Sequence, residues 1–118
     1  MELSLININA SFLTNAERRS LVLHLLYTLE SHEYLISIDS LIESYRDGYG
    51  ILIDKEDLII QNITEIMFKR KDLDKEIIPF VENWAFDRIS VIVRLILRYS
   101  LWEIILICDR KIGGGFST

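Results

Sequence analysis

Residues 71–105, KDLDKEIIPFVENWAFDRISVIVRLILRYSLWEII, decide how this chain folds. The stretch reads as a capped helix bent at Pro79, a corner at residues 83–86, and then a long helix that is apolar nearly all round. Between Ile89 and Cys108 the only charges are Arg94, Arg98 and Glu103. A helix with so little polar surface lies either in a membrane or in the middle of a bundle. The arginines decide between them. Each would cost about 2.5–3.5 kcal/mol at a bilayer centre, and Arg94 and Arg98 stand four apart, on one side of the helix. The expected architecture is an all-α bundle with this helix at its centre, and no membrane.

At 118 residues the chain makes one domain with a single core. It is 50% hydrophobic with a mean hydropathy of +0.24, so it either hides its surface in a thick bundle or shares it with a partner. A formal charge of −5 argues against coating nucleic acid by bulk charge and leaves room for a local basic patch. Cys108 is alone, which excludes a disulfide framework and a thiolate metal cage. The first residues carry Glu2 where a signal peptide has basic residues, and the expected location is the cytoplasm.

Outward from the central stretch, residues 1–13 show no helical period and form a loose or strand-like leader. Thr14 and Glu17 fit a capping box, opening a helix to about Ser31 with Val22, Leu25, Leu26 and Leu29 buried. A second helix is expected over about residues 35–47 on Leu35, Ile38, Leu41, Ile42 and Tyr45, stopped by Gly48 and Gly50. Asp54 would cap a third, closed by the cations Lys69, Arg70 and Lys71 near its C-terminus. Asp72 or Asp74 would start a fourth, in which Pro79 bends the backbone. The central helix makes about five. The helical domain is expected over 14–108. Beyond it, 109–118, with Gly113, Gly114 and Gly115, reads as an unstructured tail.

Signatures of catalysis are missing. His24 and His32 have no acidic or cysteine partner at ligand spacing, and no phosphate-cradling glycine motif occurs. The pairs Glu56/Asp57 and Asp72/Asp74 are accounted for by helix capping. No enzyme, metal or cofactor is expected. Arg18 and Arg19 are another matter. They open a helix, where the dipole disfavours cations, so they are either solvated surface charge or a phosphate-contacting patch.

The order of residues resembles the NusB family, that is, transcription antitermination factors and related RNA-binding domains. The resemblance runs over residues 18–103 and rests on Leu73-Asp74, Pro79, Trp84, Arg88, Leu97-Arg98, Trp102 and Glu103. The first helix adds Arg19, Leu26-Tyr27 and Glu30. It implies an all-α fold of two small helical subdomains. It also implies an RNA-binding adaptor that takes a boxA-like RNA together with the ribosomal protein NusE, within the transcription elongation complex. On this resemblance Arg18 and Arg19 contact RNA, while Tyr27, Asp87 and Arg98 belong to the surface that docks the protein partner. The chain departs from the family in having two arginines in place of an arginine-rich leader, and Val93 where many members carry an acid. It also lacks the last two helices of the pattern. The expected fold is therefore a NusB-like bundle shortened at its C-terminus, with part of the central helix uncovered. The alternative reading is a truncated NusB-like interaction protein, a homodimer through that helix, which has lost RNA binding. An enzyme fragment would need a following methyltransferase domain.

Overall fold

The computed structural model describes residues 7–81 and 90–116. The leader is tied down from residue 8 onward. Strand β1 (Ile8–Asn9) pairs in parallel with β2 (Ile51–Leu52), Ile8 opposite Ile51 and Asn9 opposite Leu52. Asn9 then caps a short 3₁₀ turn, Ala10–Phe12, in which Ala10 is fully buried.

Helix α1 (Asn15–Ser31) begins at the capping box that the sequence shows. The Glu17 N–H donates to Thr14 Oγ1 at 3.1 Å, and the Thr14 N–H donates to Glu17 Oε1 at 2.8 Å. Two first-turn donors are thus satisfied reciprocally. Leu21, Val22, Leu25, Leu26 and Leu29 line its buried face. It closes without glycine. The Tyr34 N–H donates to the Leu29 carbonyl at 2.8 Å and the Glu33 N–H to Glu30 at 3.0 Å, with Glu33 and Tyr34 at φ of 52° and 61°. That is a Schellman closure built on residues with a Cβ, which pay a steric penalty in this region.

Helix α2 (Ile38–Tyr49) starts at Ser37, whose side chain accepts from the Ser40 N–H, and ends at Gly50 in the left-handed conformation, φ 68°. Two expectations are corrected here. Leu35 precedes the helix and is 86% exposed, and Gly48 lies inside it. Only Gly50 needs a glycine's backbone freedom, because it alone takes the positive φ that ends α2.

Helix α3 (Leu58–Ile77) replaces the two helices expected between residues 54 and 81. No glycine or proline interrupts 58–77, and Ile63, Ile66, Leu73 and Ile77 keep one helical phase, all buried. Lys69, Lys71 and Asp72 read as a terminus and a new cap, yet they are simply the exposed side of one helix. The α-helix ends two residues before Pro79, which sits in a 3₁₀ turn, Ile78–Val81, as expected from the conformational restriction that proline imposes on its neighbour.

Helix α4 (Val91–Phe116) runs past Cys108, where the sequence pattern fades. Extending an existing helix needs no new nucleus, which lets it continue through three glycines that each cost about 1 kcal/mol relative to alanine. Among the described residues there are four α-helices and one two-stranded parallel pairing, an all-α architecture. None of these helices is long and apolar enough to cross a membrane.

The chain divides into two compact units, Met1–Glu65 and Ile66–Thr118. The first gathers Leu25, Leu26, Leu29, Leu41, Ile59 and Ile63 into its core. The second buries Leu73, Ile77, Leu95, Tyr99 and Trp102. Among the described residues of α4, Val93, Ile96, Ile104 and Ile107 lie on one face and are exposed, opposite the buried Leu95, Tyr99 and Trp102.

Glu33→Gly should raise stability by about 1 kcal/mol, since glycine takes the left-handed cap without a Cβ clash. Urea denaturation checks this. A loss of stability would show that the Glu33 side chain contributes more than the strain it causes.

Candidate nucleic-acid interface

Arg18 and Arg19 are adjacent in sequence but project about 100° apart on α1, and their surroundings differ. The Arg18 guanidinium turns toward the body of the first unit. Its Nη1 donates to the Ala10 carbonyl at 2.8 Å and to Asp57 Oδ2 at 3.3 Å, and its Nη2 donates to Asp57 Oδ1 at 2.5 Å. Asp57 Oδ1 also accepts from the Ile59 N–H at 2.8 Å and so caps α3. One ion pair therefore joins the leader turn, α1 and the start of α3. The sequence places the cap at Asp54, but Asp54 instead holds the turn before it, accepting from the Glu56 N–H at 3.2 Å.

Burial by itself would raise the Asp57 carboxyl. The Arg18 hydrogen bonds, the Ile59 N–H and the Arg18 charge outweigh it and hold the group below its ordinary value of 3.8. Arg18 is therefore engaged in structure, and the expectation of a phosphate contact is carried by Arg19, which is exposed. Tyr27 is 43% exposed and lies about 12 Å further along the axis of α1 than Arg19, rotated about 80° from it and nearly in line with Ser20.

The second unit corrects the reading of Arg98 as a docking residue. Arg98 is 5% exposed and grips Asp74 with both arms of its fork, Nε to Oδ1 at 2.6 Å and Nη2 to Oδ2 at 2.8 Å. Asp74, expected to cap a helix, is an interior residue of α3 and supplies the carboxylate of this pair. Arg98 thus fixes α4 against α3 and offers no surface to a partner. Asp87 lies outside the described residues, as do Trp84 and Arg88 of the family pattern.

The first unit holds a further cluster, built on Tyr45. The Tyr45 hydroxyl lies 2.5 Å from His24 Nδ1 and 2.7 Å from Thr28 Oγ1, and it donates to the His24 carbonyl at 3.0 Å. Burial pushes the Tyr45 phenol above its ordinary value of 10.0, against the lowering effect of Thr28. Tyr49 completes a ring cluster, 5.2 Å from Tyr45 and 5.4 Å from His24. Beside it opens a cleft of about 360 Å³, lined also by the apolar Leu13, Leu21 and Ile51 and the polar Glu17 and Ser20. The sequence does hold a signal, Tyr45 and Tyr49 at i and i+4, which is lost when the helix is ended before Gly48. Among the described residues no group of His, Cys, Asp and Glu could hold a metal ion.

The family profile that matches the chain is that of the NusB family, over residues 16–111. The chain belongs to the NusB family. The transcription antitermination protein NusB of Macrococcus caseolyticus is 24% identical over 96 residues, 79% of this chain and 68% of that protein. That of Listeria welshimeri is 30% identical over 89 residues, 75% of this chain and 63% of the relative, and NusB of Listeria monocytogenes matches equally. The chain thus spans 63–68% of the length of these curated relatives. No solved structure matches it at the same level of significance.

The depressed Asp57 carboxyl sets a pH dependence. Its stabilisation is complete above the unfolded value of 3.8 and fades as pH falls through that value toward the lower folded one. Urea midpoints of the wild type should therefore drop more steeply between about pH 5 and 3 than those of Asp57→Asn. At pH 7 that variant should be less stable by about 1–3 kcal/mol. Parallel profiles would show that the pair contributes nothing.

Proposed function

We propose that this chain is a non-enzymatic adaptor of transcription antitermination, binding a boxA-like RNA together with the ribosomal protein NusE in the transcription elongation complex. It would act in the cytoplasm. The family match over 16–111 carries the reading, because it spans both units of the chain. The exposed Arg19 and Tyr27 of α1 supply what such an adaptor needs, a cation for phosphate and an amphipathic ring for a base or a protein partner. Arg18 contributes by fixing the start of α1, and Arg98 by fixing α4, rather than by touching a ligand.

The test is binding of a boxA-containing RNA, with and without NusE, at several salt concentrations. Binding should exceed that of a scrambled RNA and strengthen with NusE. Arg19→Ala should flatten the log–log salt dependence by about 0.7, the contribution of one phosphate contact on a single strand. Equal binding of both RNAs by the folded protein would sink the reading.

A second reading, pairing with another copy of the chain, is favoured by the outward face of α4. Val93, Ile96, Ile104 and Ile107 recur there at helical spacing, an apolar stripe of the kind that marks an interaction surface. A homodimer through this stripe would sediment as such at micromolar concentration and dissociate in Ile96→Glu/Ile104→Glu. A wild type that stays monomeric ends that reading.

A further inference from the structure

The cleft beside Tyr49 has no part in the roles assigned to Arg19 and Tyr27. We propose that it receives one unpaired base of a single-stranded RNA, with the ring against Tyr49 and the base edge toward Glu17 and Ser20. This rests on the RNA-binding reading and adds a specific subsite to it.

Size comes first. At about 360 Å³ the cleft lies at the lower end of ligand sites and suits one planar ring system rather than a docked helix. Part of its wall is held in place by hydrogen bonds and ring packing. Tyr45 is 2% exposed and its hydroxyl is held by His24 and Thr28. Tyr49 packs on both Tyr45 and His24, yet remains 62% exposed at the last position of α2. An aromatic ring fixed on one side and open on the other is a stacking platform, and little side-chain freedom remains to be lost when a base arrives.

Charge then decides which part of a nucleotide enters. One oxygen of Glu17, which lines the cleft, accepts from the Thr14 N–H at 2.8 Å, and this holds the carboxylate back against the start of α1. An anion there repels phosphate and accepts hydrogen bonds from the N–H groups of a base edge, as the Ser20 hydroxyl also can. The base is therefore directed inward and its phosphate outward. Glu17, Ser20 and His24 share one face of α1, and Arg19 stands on the far side of the same turn. The helix is about 10 Å across, so a strand crossing its first turn meets the cleft and Arg19 in succession.

The experiment measures affinity for a boxA-type RNA and for versions of it in which single bases are replaced by an abasic ribose. The wild type should lose about tenfold at one position, the size of a typical base–aromatic stack. Tyr49→Leu should lose about as much on the intact RNA and be indifferent to the abasic change at that position, while Tyr49→Phe keeps both. Ser20→Phe, which fills the cleft, should behave as Tyr49→Leu, and far-UV circular dichroism confirms that each variant is folded. If Tyr49→Leu and Ser20→Phe bind intact RNA like the wild type, the subsite is wrong and the RNA-binding reading stands. If they weaken only the binding of NusE, the cleft takes a protein side chain and the inference is overturned. A folded wild type that binds no RNA removes the reading and the subsite together.

Discussion

Arg98 sits in the most apolar helix of the chain, and a charge there is tolerable only with a carboxylate opposite it. Asp74 provides that carboxylate through two charge-assisted hydrogen bonds of 2.6 and 2.8 Å. Removing one partner of such a buried pair costs about 3–5 kcal/mol, out of a total stability of about 5–15 for an ordinary domain. The pair also sets the rotation of α4. With Arg98 turned to α3, Leu95, Tyr99 and Trp102 are carried inward and Ile96, Ile104 and Ile107 outward. The exposed stripe is thus a consequence of where one guanidinium finds its partner.

The first unit repeats the device at a smaller scale. Arg18 meets Asp57, and the same carboxylate caps α3 while the same guanidinium holds the Ala10 carbonyl. One pair thus ties the leader turn and α1 to the start of α3. Its geometry leaves two faces of α1 open for work. Arg19 lies toward one, while Glu17, Ser20 and His24 line the cleft on the other, with Tyr27 nearly in line with Ser20 further along the helix.

Much of the fold was legible because it is local. The Thr14/Glu17 capping box, the leucines of α1 and the glycine closing α2 are interactions among residues within a few positions of each other, and α1 starts where they say. The misreadings share a cause. Lys69, Arg70, Lys71, Asp72 and Asp74 resemble the end of one helix and the beginning of the next, because charges of those signs favour those termini. They also suit the side of a single helix, and the unbroken phase of Ile66, Leu73 and Ile77 decides for the latter. Leu35 failed as a core residue because Ser37 captures the N-terminus of α2 downstream of it. The candidate site was less legible. Arg18 and Arg19 are alike in sequence, and it is a carboxylate 39 positions away that draws Arg18 inward while Arg19 stays exposed.

The sequence by itself determined the helical class, the start of α1, the absence of a membrane span among the described helices and the kinship with the NusB family. Each is written in periodicity, capping or residue order, which the chain carries without being folded. Tertiary structure alone decided that Arg98 is buried rather than displayed, that Arg18 is structural while Arg19 is exposed, and that His24, Tyr45 and Tyr49 wall a cleft. Those outcomes depend on which distant group meets which charge or ring. Burial then makes the choice stringent, because an ion or hydroxyl taken out of water must find its partner.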